Sequence, residues 1–346
     1  MDLARVGSQL EKLGAPKYRL DQVRQAVFTD AVENYDEIAV LPAALRKGLT
    51  ESAPILSATP SMVQVSRDAR AHKALMTLHD GKVVETVLLR PSQTRWTTCI
   101  SSQVGCAIAC TFCATGLMGL ARNLTAEEIV DQVLFWRQYM RKQGLEGRID
   151  NVVYMGMGEP FANYDEVADS LRRLTDQKQF GIGARHISVS TAGLAQQMER
   201  FAVDFPQINL ALSLHAADDT LRTKLVPLNK AYPLARLAEA LRKYLSLTPR
   251  KVFLEYVMLQ GENDSPQDAK NLLAWAKSIG RLELLHANLI VFNKTDTPHE
   301  ATAEDDARQF QDYLLAGGLH ATVRQNLGRD IQGACGQLIV EEQKKK

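Results

Sequence analysis

Over residues 208–214 the chain alternates Ile208, Leu210, Leu212 and Leu214 with Asn209, Ala211 and Ser213. That period of two is the pattern of a strand with one face buried. Comparable short apolar runs occupy residues 83–89, 96–102, 151–156, 185–191, 252–259 and 287–292. Between them, apolar positions recur at helical spacing over 125–142, 164–178, 233–245, 266–278 and 303–315. Thr125, with Glu128 three residues on, reads as the capping box that starts the first of these helices. Strands alternating with helices predict parallel pairing through helical crossovers. Six strand–helix units from residue 96 onward fall short of the eight that a closed barrel builds from about 250 residues. The expected fold is therefore α/β, a partial (βα)6 TIM-like barrel.

Before the alternation begins, residues 18–28 and 41–49 carry helical spacing, and Pro54 and Pro60 then break the pattern. This predicts a small helical accessory domain over residues 1–80 and the barrel over 81–343. Lys344–Lys346 reads as a disordered basic tail. With 41 Lys and Arg against 40 Asp and Glu, the net charge of +1 gives no bulk attraction to nucleic acid or lipid. No run approaches the 18 or so apolar residues of a membrane span, and the start of the chain lacks an export signal, so the expectation is a cytoplasmic protein.

Three of the five cysteines, Cys106, Cys110 and Cys113, form a C-x3-C-x2-C run between Gly105 and Gly116. Thiolates at this spacing can converge on one metal centre, and the glycines allow the tight bend around it. Structural zinc takes four protein ligands, and His72 and His79 lie far upstream. Three ligands leave a coordination position open. The spacing, with Phe112 before the last cysteine, resembles the radical S-adenosylmethionine superfamily, which implies a [4Fe-4S] cluster with one iron free for S-adenosylmethionine. Other polar residues fall at the ends of successive strands: Gly158 and Glu159 after the second, Ser190 after the third, Ser213, Leu214 and His215 after the fourth, and Asn293 after the sixth. Parallel barrels place their chemistry at that end. Gly158 would let the backbone approach a ligand closely, and Glu159 could accept from its ammonium group.

Cys99 and Cys335 lack cluster spacing. Cys99 to Cys106, Gly156 to Pro160, Ser213 to Ala216 and Ala334 to Leu338 together resemble the RlmN/Cfr family of RNA adenosine methyltransferases, and the likeness runs from about Val83 to Leu338. The resemblance implies that Cys335 accepts a methyl group from one S-adenosylmethionine. A second S-adenosylmethionine would then supply the radical that makes the methyl carbon reactive toward adenine, so two are used per turnover. Cys99 would resolve the resulting protein–RNA adduct by disulfide formation with Cys335, with Glu85 or Cys99 as the base. Glu159-Pro160 is closer to RlmN, which methylates adenine C2, than to Cfr-type enzymes, which methylate C8. The implied partners are 23S rRNA at an adenosine of the peptidyl-transferase centre, tRNA at the adenosine after the anticodon, and an electron donor such as flavodoxin or ferredoxin, with the protein acting as a monomer. A radical activase acting on protein is the reading from a different class. Phe161 and the 291–294 segment depart from the family pattern.

Overall fold

The computed structural model describes residues 1–338. The expected basic tail lies outside them. Three helices open the chain: α1 (Leu3–Lys12), α2 (Tyr18–Phe28) and α3 (Ala43–Ser52). They bury Val6, Leu10, Val23, Val27, Leu45 and Leu49 in a core continuous with that of the sheet.

Next come β1 (Ala58–Val65), β2 (Ala71–Leu78), β3 (Val83–Leu89) and β4 (Arg95–Cys99), an antiparallel meander. The first two strands correct the reading of Pro60 as a break, and they bring residues N-terminal of the expected boundary near Asp80 into the sheet. Pro60 is tolerated because β1 is an edge strand, and its register with β2 shifts between Pro60 and Met62.

A short ribbon of β5 (Gln103–Gly105) and β6 (Leu120–Asn123) encloses a one-turn helix, α4 (Ala114–Leu117). The alternating region follows: α5 (Ala126–Gln143), β7 (Arg148–Tyr154), α6 (Tyr164–Thr175), β8 (Ile187–Thr191), α7 (Ala195–Asp204), β9 (Asn209–Ser213) and α8 (Asp219–Leu225). It continues through α9 (Leu234–Leu247), β10 (Val252–Met258), α10 (Pro266–Ile279), β11 (Leu285–Val291), α11 (Glu304–Ala316) and β12 (His320–Val323).

The main sheet has ten strands in the order β1-β2-β3-β4-β7-β8-β9-β10-β11-β12, parallel from β4 onward. The six expected parallel strands are present and adjacent, as a partial barrel requires, and β12 adds a seventh beside β11. The capping box forms: the Glu128 amide donates to Thr125 Oγ1 at 3.3 Å, and the Thr125 amide donates to Glu128 Oε2 at 3.0 Å. The helical segment at the start of the chain docks on α5, where Arg137 donates to Phe28 O at 3.0 Å and Gln138 to Val32 O at 2.7 Å.

Candidate active site

The cysteine loop hangs from the β5–β6 ribbon, and backbone geometry shapes it. Gly105 has a φ of +77°, and a Cβ there would lie 1.9 Å from the carbonyl oxygen of Gly119. Gly116 is also confined, though less tightly, since its Cβ would meet Cys110 O at 2.9 Å. Ala109 takes a φ of +57°, the left-handed region that turns the chain between the first two cysteines. The Cys106 amide then donates to Gly119 O at 2.9 Å and closes the loop.

Three parts of the chain hold this loop from outside. Thr111 N donates to Leu225 O at 3.0 Å, Ala114 N to Gly336 O at 2.9 Å, and Thr115 Oγ1 to Leu338 O at 2.7 Å. His299 Nε2 lies 3.2 Å from Thr111 Oγ1, and its Nδ1 is paired with Glu262.

Cys106, Cys110 and Cys113 line one cavity of about 150 Å³ together with Gly158, Glu159, Ser190, Ser213, His215, Asn293 and Cys335. Burial pushes the Cys106 thiol up to about 12 and raises Cys110 and Cys113 as well. A metal's charge offsets that cost by replacing the proton. Among the described residues no three such side chains converge on a single ion. A cubane offers its irons at separate corners, one per thiolate, and three cysteines on one tight loop lining one cavity fit that group.

The strand ends supply the polar wall. Glu159 is 4% exposed; its Oε1 accepts from Phe161 N at 3.0 Å and its Oε2 from Ala192 N at 2.7 Å. Burial raises its carboxyl to about 7 despite those donors. Ser190 and Ser213 face one another with their hydroxyls 2.9 Å apart. His215 has a φ of +60°, and its Nδ1 accepts from Val257 N at 3.1 Å. Its ring stacks edge-on against Phe112, and burial lowers its pKa to about 3, so it stands as a neutral imidazole. Leu214 is fully buried and does not line the cavity; its backbone carries the order here, accepting at O from Arg222.

Gly158 meets a protein neighbour as well as the cavity. At a φ of +101°, a Cβ would fall 2.5 Å from Gln103 Cβ, so the missing side chain seats this turn against the start of the cysteine hairpin. Asn293 clamps the Cys335 loop: its amide donates to Cys335 O at 3.1 Å and accepts from Arg329 Nε at 2.7 Å.

Cys335 lines a second cavity of about 250 Å³, and there it meets Cys99. Both are free thiols. Burial, then the neighbouring Cys335, pushes Cys99 up to about 12. Arg324 lines both cavities as Cys335 does, and its guanidinium donates to Glu255 Oε2 at 3.3 Å. Cys335, ahead of Glu255 and Cys99, raises the Arg324 pKa and keeps the cation charged.

Sequence reasoning missed Arg324 and Glu255. The available signal was Glu255, a carboxylate in the middle of the apolar run of β10. Glu85 lines neither cavity; it is 2% exposed and paired with Lys73 Nζ at 3.0 Å, on the strand whose Val87 registers with Cys99.

Residues 100–273 match the radical SAM superfamily. The chain is 42% identical over 344 residues to a "Probable dual-specificity RNA methyltransferase RlmN" of Chloroflexus aurantiacus, covering 97% of this chain and 91% of that protein. It is 40% identical over 338 residues to a "Ribosomal RNA large subunit methyltransferase Cfr" of Clostridium botulinum, covering 96% of each. Among solved structures, a radical SAM methyltransferase from Sphaerobacter thermophilus superposes with a TM-score of 0.91 at 41% identity, over 98% of this chain and 97% of the other.

Proposed function

This chain belongs to the RlmN/Cfr family of radical S-adenosylmethionine RNA methyltransferases, and from that premise we propose that it methylates adenine C2 in 23S rRNA, with tRNA as a second substrate. The observation that carries the mechanism is the position of Cys335 on the wall shared by two cavities, one with the cluster cysteines and the other with Cys99.

Adenine C2 is too poor a nucleophile to take a methyl group directly from a sulfonium, so a carrier and a radical are needed. Cys335 is the carrier: as a thiolate it displaces methyl from a first S-adenosylmethionine. Arg324 lines the same two cavities as Cys335, and Glu255 holds that guanidinium in place. Cys106, Cys110 and Cys113 hold the cluster, which when bound supplies the electron that cleaves a second S-adenosylmethionine. Gly158, Glu159, Ser190, Ser213 and Asn293 seat its amino-acid end, with Glu159 accepting from the ammonium group. His215, neutral, holds Phe112 and Val257 against that seat.

The 5′-deoxyadenosyl radical from that cleavage takes a hydrogen from the methyl group of Cys335, and the methylene carbon bonds to adenine C2. The adduct gives up its C2 proton to the base and one electron, which the bound cluster would take back. Cys99 as a thiolate then attacks the Cys335 sulfur, forming the disulfide, and the freed methylene carbon takes up a proton to complete the methyl group. Glu85 serves as base through the Cys99 side of the sheet, with Cys99 itself as the rival. The N-terminal region over residues 1–80, which carries α1, α2 and α3, contacts the RNA. A flavodoxin or ferredoxin delivers electrons to a monomeric, cytoplasmic enzyme; no helix among the described residues is long and apolar enough to cross a membrane.

The likeness to the Cfr protein favours a second reading, methylation at C8 by the same residues. Anaerobic turnover of cluster-reconstituted protein with methyl-deuterated S-adenosylmethionine and a protein-free 23S rRNA fragment separates them by nucleoside mass spectrometry. Labelled 2-methyladenosine supports the C2 proposal, and 8-methyladenosine replaces it with the second. Formation of 5′-deoxyadenosine without either product removes RNA as the substrate and leaves the activase reading.

A further inference from the structure

Arg222, on α8, is 0% exposed. Its guanidinium donates to Ala192 O at 2.7 Å, Leu214 O at 3.0 Å, Ser213 O at 3.3 Å and Asn229 Oδ1 at 2.8 Å. All four acceptors are neutral. They satisfy four of its five N–H groups, and its charge lies in a dry interior, where an ion calls for opposite charge close by. Asp219, one helical turn back, has its carboxylate engaged by Asn229 Nδ2 at 2.9 Å and Leu234 N at 2.9 Å, and its charge is felt at Arg222 after that of Cys110.

The same short helix packs on the cysteine loop. Leu221, Leu225 and Val226 share an apolar cluster with Phe112, Cys110 and Cys113, and Thr111 N is bonded to Leu225 O. The charge of Arg222 is felt at the Cys110 sulfur, and Cys110 in turn acts on Arg222.

We propose that Arg222 is the buried counter-charge of the iron–sulfur cluster, a positioning residue that raises the cluster's one-electron reduction potential without touching S-adenosylmethionine. The inference rests on the proposed function, because it presumes a cluster on Cys106, Cys110 and Cys113. A cubane on three thiolates is net negative when oxidised and gains a further negative charge on reduction. A fixed cation beside it stabilises the reduced form more, and the low local dielectric preserves the difference. Arg222 suits this task because it stays protonated: burial lowers its pKa only to about 10.

The test is a redox titration with dithionite, monitored by electron paramagnetic resonance, on anaerobically reconstituted wild type, Arg222→Met, Arg222→Lys and Asn229→Asp. At the wild-type midpoint, Arg222→Met should show a reduced-to-oxidised ratio about tenfold lower, a negative shift of about 59 mV for a one-electron couple. Arg222→Lys, which keeps the charge and loses the fork of hydrogen bonds, should stay near the wild-type potential. Asn229→Asp sets a carboxylate where Asn229 Oδ1 now accepts from Arg222, so it should shift the potential in the same direction as Arg222→Met.

An unchanged midpoint in Arg222→Met, or equal shifts in the Met and Lys variants, overturns the proposal. If Arg222→Met cannot retain a cluster, Asn229→Asp decides, and an unchanged potential there overturns it. Absence of a [4Fe-4S] signal in the wild type fails the cluster reading itself, which is distinguishable from a wild-type cluster whose potential ignores Arg222.

Discussion

Gly105→Ala tests whether backbone geometry in the ribbon governs cluster loading. At a φ of +77°, alanine pays about 1 kcal/mol for the left-handed backbone. The larger effect is steric, because its Cβ would sit 1.9 Å from the Gly119 carbonyl oxygen, and that atom is backbone. Relief requires β5 and β6 to part, which costs the 2.9 Å bond from Cys106 N to Gly119 O, about 0.5–1.5 kcal/mol net, and local packing besides. The total is about 2–4 kcal/mol. The ribbon is a two-stranded sheet separate from the main one, so the penalty falls on the loop. The melting temperature of the metal-free protein should move by only a few degrees, while iron and sulfide retained after anaerobic reconstitution fall at least about tenfold, as 1.4 kcal/mol or more would dictate. A variant that loads iron and sulfide to the wild-type level, with an unchanged spectrum, refutes the argument that this contact shapes the site.

Cys99→Ala should slow product formation about 10²–10⁴-fold and accumulate a protein–RNA adduct, seen as a slow-migrating band on denaturing gels; its absence contradicts resolution by Cys99. Cys335→Ser should abolish the added methyl group on the 335-containing peptide, read by mass spectrometry of protein made in cells, and an undiminished methyl signal would place the carrier elsewhere. Asn293→Ala removes the bonds to Cys335 O and Arg329, worth about 1–3 kcal/mol, and should lower methyl loading on Cys335 along with affinity for S-adenosylmethionine; undiminished loading would refute the clamp on the Cys335 loop. Burial raises the Glu159 carboxyl to about 7, and its charged form is the one that accepts an ammonium group. Affinity for S-adenosylmethionine should therefore be level above about pH 7 and fall by up to about tenfold per unit below it, measured by calorimetry; a flat profile to pH 5 removes Glu159 from that role.

The readable parts of this chain were those whose physics is local. Three thiols within eight positions fall together by spacing alone and line one cavity, and the period-two run at 208–214 appears as β9. The capping box on α5 was equally legible, since Thr125 and Glu128 satisfy each other without help from the rest of the fold. What escaped depends on distant partners. Arg324 and Glu255 lie 69 positions apart, and only adjacency of β10, β11 and β12 brings them to Cys335. Asn293 was recognisable as a polar residue at a strand end, but its partners belong to the later Cys335 loop. Pro60 misled because a proline reads as a break until the strand is known to lie at an edge. The helix α7 was missed, although Ala195, Met198, Phe201 and Ala202 are buried along it.

The bonds between the cysteine loop and the Cys335 loop also constrain how the protein is made. Thr115 waits 223 positions for its partner carbonyl at Leu338, and Ala114 almost as long for that of Gly336. During synthesis all three cluster cysteines leave the ribosome while the wall that closes their compartment is still untranslated. A cluster delivered then would sit on an open, oxygen-exposed hairpin. Under the proposed mechanism, maturation therefore belongs after residues 336–338 have emerged, and the carrier thiol shuts the compartment in which it will work.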